Sequence, residues 1–158
     1  MDVADPRRVE AEVEAISVRL RGIVETNDIE RSRELASIAE TKGWSLIQAK
    51  SLLNEAAGRR VRGSADTVRP LLETAVALLE DSHPNEEAYA RVRLARILRM
   101  QGETDEAFRQ AGIAREIAER IGDTELSGRV LLRLGDLQSF SGDVEAAEAS
   151  LRKAIELC

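Results

Sequence analysis

Aromatic residues are nearly absent from this 158-residue chain: one Trp, one Tyr and two Phe, 3% in all. A compact single-core globule usually draws on such rings for buried area. Here the 43% of apolar residues must fill the core with Ala, Leu, Ile and Val, as thin stacked helices do. Cysteine occurs once, at Cys158, which excludes an intramolecular disulfide framework and fits a reducing compartment. The single histidine, His83, has no His or Cys cluster around it, so no metal is expected and helix capping before Pro84 is the preferred reading. Proline is scarce too, and Pro6, Pro70 and Pro84 all fall at plausible helix starts.

Other absences bound the function. No apolar run approaches the roughly 20 residues of a membrane span, and the opening MDVADPRRVEAEVE is too acidic and polar for a secretory signal. A net charge of −6 lacks the basic field that phosphate contact needs. The expectation is a soluble cytoplasmic protein with neither a membrane nor a nucleic acid as partner. There is no phosphate loop, no nucleophile with a recognisable base, no His pair and no isolated carboxylate pair. The chain is therefore expected to be no enzyme and to hold no cofactor.

What the chain does have is a ladder. Ala36, Ala75, Ala114 and Ala154 stand at steps of 39, 39 and 40 residues, a period of helical-hairpin arrays in which each unit buries its apolar face only against its neighbours. Caps and periodicity place eight helices. The first runs from Asp5-Pro6 to about Val24, the second from Asn27-Asp28 to Lys42 with Gly43 as a left-handed stop. The third spans about Ser45 to Arg60, the fourth Ser64 to Asp81, the fifth His83-Pro84 to just before Gly102. The sixth covers Thr104 to Ile121, the seventh Thr124 to Phe140, and the eighth begins at Asp143 and runs to the end. Connections of two to five residues suit antiparallel hairpins. The predicted fold is all-α: an α-solenoid of four hairpins, approximately 5–43, 44–82, 83–122 and 123–158, in a single domain. Trp44 is expected to pack at a hairpin junction.

Two hairpins share one pattern. Leu94-Ala95, Gly102, Ala107 and Ala114 are answered forty residues on by Leu134-Gly135, Gly142, Ala147 and Ala154. Small residues let paired helices approach closely, and the glycine supplies the turn. This pattern resembles the tetratricopeptide repeat (TPR). The resemblance implies a right-handed superhelix, and the long period, with segments such as Ala111–Asp123, is similar to repeats of bacterial signalling proteins. Those include maltose-activator-type regulators and repeat-linked diguanylate cyclases. In the second hairpin Glu55 stands where the family has Leu, while Ala56, Gly63 and Ala75 keep register.

The resemblance also implies that the first helix of each hairpin lines a concave groove. Over the segments above, the first helices carry net positive charge and the second helices net negative charge, with Arg59 and Arg91 among the basic residues. Groove positions map onto Lys50, Asn54 and Arg60, then Tyr89, Arg93, Arg96 and Arg99, then Arg129, Arg133 and Phe140. Lys and Asn followed by successive Arg resemble part of a carboxylate clamp, although Ala57 replaces its second Asn. Arginine suits that task because its planar fork meets a carboxylate at two points; the competing reading is a solvated face paired to nearby Glu. The expected partner is a protein or peptide with an acidic segment, and by binding it the domain is expected to regulate an attached or partner output module. An anionic small molecule is an alternative ligand. Leu151, Ile155 and Leu157 on the eighth helix have no successor to cover them, so the chain is expected to be a fragment of a longer protein, or to form a homodimer through that edge.

Overall fold

The computed structural model describes residues 5–22, 24–63 and 65–157, without the side chains of residues 61 and 62. Cys158 and the helix start expected at Ser64 lie outside the described residues. Among the described residues eight helices form: α1 (Pro6–Arg19), α2 (Thr26–Lys42), α3 (Ser45–Arg62), α4 (Ala65–Leu79), α5 (Pro84–Met100), α6 (Thr104–Ile121), α7 (Thr124–Ser141) and α8 (Val144–Leu157). No strand occurs among the described residues, and the fold is the expected all-α hairpin array. Two compact units divide the chain, Met1–Leu79 and Glu80–Cys158.

In the first unit the Asp5 side chain accepts from the Arg7 amide at 3.0 Å, and Pro6 opens α1 at the position where its missing N–H costs least. The helix ends at Arg19, short of the expected Val24. There the backbone tightens to i, i−3 bonds, Arg21 N–H to Val18 O and Gly22 N–H to Arg19 O, as terminal turns often do. Gly43, at φ 71°, ends α2 as expected. Val9, Val13 and Ile16 of α1 meet Leu35 and Ala39 of α2 and Ile47 of α3, with Trp44 packed against the same cluster.

Two buried carboxylates and one proline stand out in this unit. Glu55, the departure from the family's Leu, is buried, and its Oε1 accepts from Arg59 Nε at 2.7 Å and from Arg33 Nε at 3.2 Å. Two cations replace the apolar contact a leucine would make. Asp28, also buried, is held by Arg19 Nη2 at 2.6 Å. Pro70 corrects an expectation: it lies inside α4, past the first turn, where it withholds the i, i−4 bond to Asp66 O.

Glu12 joins α1 to α2, its two oxygens accepting from Arg31 Nε at 2.6 Å and Nη2 at 2.9 Å. That double hydrogen bond holds the Glu12 carboxyl below its ordinary value of 4.5, against the opposing effect of burial. A carboxylate depressed on folding adds stability that is complete above its free value and is lost as pH falls through the folded one. Glu12→Gln is therefore expected to flatten the loss of stability below pH 4.5, read as urea midpoint against pH.

In the second unit Ala88 and Val92 of α5, Ala114, Ile117 and Ala118 of α6, and Leu126 and Val130 of α7 form one buried cluster. His83 occupies the N-cap of α5, but its side chain caps nothing. The ring instead meets Ser82 Oγ at 2.9 Å, while its backbone carbonyl accepts from the Glu87 amide at 2.8 Å. Asp123 is a true cap, its Oδ1 accepting from the Leu126 amide at 2.9 Å. Gly142, at φ 87°, closes α7. Gly135 serves close approach: a Cβ there would lie 2.7 Å from Leu151 Cγ of α8.

Candidate functional site

Tyr89, Arg93 and Arg96 recur at i, i+4 and i+7 along α5, which sets them on one stripe. Arg129, Arg133 and Phe140 form the matching stripe on α7, and the two helices lie against each other. The 40-residue register brings residues of the two stripes together. Arg93 and Arg129 both stand over the Tyr89 ring, with their guanidinium carbons 4.7 and 5.7 Å from its centroid. At the other end Arg99 stands 5.2 Å over the Phe140 ring, and Phe140 is 61% exposed. Arg99 Nε is buried with no hydrogen-bond partner. A cation held over a ring is attracted by the ring's face and needs no hydrogen-bond acceptor there, so the contact positions the group without an acceptor of its own.

Carboxylates answer part of this charge. Arg129 Nη2 donates to Glu125 Oε1 at 2.7 Å and Arg133 Nη1 to Asp136 Oδ2 at 2.7 Å. A cleft of about 240 Å³ opens beside Tyr89, lined by Asn85, Glu86, Tyr89, Asp123, Glu125, Leu126 and Arg129. Its walls carry three carboxylates and one guanidinium, and with Arg93 over the Tyr89 ring that lines it the carboxylates still outnumber the cations there.

The remaining site expectations fare differently. Lys50, Asn54 and Arg60 belong to the first unit. Arg60 is exposed at the end of α3. Lys50 Nζ reaches Glu14 at 2.8 Å and Glu10 at 3.6 Å. Asn54 must be withdrawn as a groove ligand: it is buried, and its amide donates to Val13 O at 2.9 Å. Arg91, counted among the basic residues of the first helices, is also buried. Its Nε donates to Glu87 at 2.8 Å, Nη1 to Gln110 at 2.8 Å and Nη2 to Glu80 at 2.9 Å.

The proposed edge on α8 also shrinks. Leu151 packs inside the α7–α8 hairpin against Gly135, and Leu157 lines a cleft with Ala118, Val130 and Leu131. Ile155 stays 77% exposed. Among the described residues no group of three or more His, Cys, Asp or Glu is placed to hold a metal ion, and no helix is long and apolar enough to cross a membrane.

Comparison with known proteins agrees with this register. No curated protein matches the chain in sequence. The fold is similar to the crystal structure of BtubC (BKLC) from P. vanneervenii, at 18% identity and a TM-score of 0.63, over 94% of this chain and 56% of that one. This chain thus spans little more than half the length of the solved structure it matches. Residues 86–158 match the family model of the tetratricopeptide repeat. That match, on helices carrying the alanine and glycine pattern, supports a tetratricopeptide repeat domain over those residues, a module that in general mediates protein–protein interaction and is not catalytic.

Proposed function

We propose that this chain is a protein-interaction module whose α5–α7 face binds an acidic segment of a partner protein. The observation that carries the reading is the set of three guanidiniums ordered over two aromatic rings. Such groups are oriented before a ligand arrives, which lowers the ordering cost of binding. Occupancy of the face would regulate an output module, attached or separate. The resemblance to long-period repeats of bacterial signalling proteins supports a signalling setting, with a diguanylate cyclase as one such output, and the lone cysteine fits the reducing cytoplasm. Self-association through α8 is the weaker reading, because the exposed Val144 and Ile155 are far less than a stable interface requires.

A fluorescein-labelled Glu-rich peptide, followed by anisotropy with the full chain, tests the proposal. The expected result is binding that weakens as NaCl rises and falls at least about tenfold (about 1.4 kcal/mol) in a variant with Arg93→Glu, Arg96→Glu and Arg133→Glu. Unchanged affinity in that variant, with its helical circular dichroism intact, would sink the reading.

A further inference from the structure

The two ring-bearing stations of the face lie ten residues apart on α5, at Tyr89 and Arg99. At 1.5 Å per residue that is about 15 Å, which an extended peptide covers in roughly four to five residues. The stations also differ in charge. At Tyr89 the cleft walls set the carboxylates of Glu86, Asp123 and Glu125 against Arg129, with Arg93 over the ring, so carboxylates outnumber guanidiniums and oppose an acidic side chain there. Tyr89 and Leu126 give the same cleft apolar surface. At the other station Arg99 is steadied by Phe140, with Arg96 one helical turn away.

We infer that the face reads an extended partner segment through two unlike anchors: an acidic side chain at Arg99–Phe140, and an uncharged apolar one in the Tyr89–Leu126 cleft, roughly four to five residues away. The inference rests on the function proposed above and adds to it a spacing and a charge order. Charge complementarity selects the acidic anchor. The carboxylate-lined cleft rejects a second one, and discrimination of this kind comes from repulsion as much as attraction.

The test uses labelled peptides with an Asp-Glu pair and one Leu in a Gly-Ser background, separated by about one, four or eight residues and made in both orders. One order at the middle spacing is expected to bind about tenfold tighter than the rest. Arg99→Gln should cancel the advantage of that peptide over its Asn-Gln counterpart, while Glu86→Gln should admit an acidic residue in place of Leu. Affinity independent of spacing and order overturns the inference even if the Glu-rich peptide binds. Failure of the Glu-rich peptide as well overturns the parent reading with it. An Arg99→Gln variant that weakens the Asp-Glu and Asn-Gln peptides equally shows a merely structural role and also overturns the acidic anchor.

Discussion

Replacing Arg91 by Ala is expected to lower the unfolding free energy by about 3–5 kcal/mol, the range for breaking a buried ion pair from one side. The Arg91 and Glu87 side chains are 6% and 7% exposed, and Gln110 is buried beside them. Removing the guanidinium leaves the Glu87 carboxylate shielded from water with no cation. It also strips Gln110 of the donor to its Oε1, although its Nε2 still reaches Glu106 at 2.8 Å. The third arm matters least, because Glu80 is 57% exposed and surface pairs contribute about 0–1 kcal/mol. A variant with Arg91→Met, Glu87→Leu and Gln110→Leu separates the causes. It should recover most of the loss, since apolar residues of similar volume often replace a buried pair without cost. Denaturant midpoints of the two variants decide the matter, and a triple variant no better than Arg91→Ala would contradict it.

Gly135→Leu is expected to cost about 3 kcal/mol, the upper end for an overfilled contact. Even a bare Cβ at this position would meet Leu151 Cγ at 2.7 Å and Cδ2 at 2.8 Å, with Ala147 O at 3.4 Å. The Leu151 branch point cannot swing aside as a chain tip would. Gly135→Ala is milder, because leaving glycine gains about 1 kcal/mol of helix propensity. If contact with Leu151 is the cause, adding Leu151→Ala to Gly135→Ala should recover stability beyond the sum of the single effects. Thermal unfolding of the four proteins in that cycle measures the coupling, expected at about 0.5–3 kcal/mol.

Helix order and most boundaries were legible in the sequence because caps and glycines mark them locally. Gly43 and Gly142 stop their helices through a backbone angle that L side chains rarely adopt. The end of α1 was misread, since Gly22 marks the turn but the apolar Ile23 and Val24 beyond it prolong the helical pattern, while the chain turns on two tight backbone bonds. So was the interior place of Pro70, whose fixed φ suits a first turn equally well.

Site residues were harder to read, for a reason of angle. Arg91 and Arg93 differ by two residues, about 200° around a helix, so one is buried and the other faces out. A signal was available. Arg91 sits three and four residues from Ala88 and Ala95, both fully buried, and has Glu87 one turn before it. Asn54 likewise follows Ser51 and Ile47 on the buried stripe of α3. The carboxylates around Tyr89 come from the starts of two helices forty residues apart, and only the fold brings them to one cleft.

The scarcity of rings has a practical consequence. The chain has one Trp and one Tyr, and they fall in different units. Trp44 packs on the core of the first, and Tyr89 lies at the candidate site of the second, under two guanidiniums. Indole emission excited at the red edge therefore follows the first unit alone. Difference absorbance of the lone phenol follows the site, so the native protein carries its own pair of optical labels.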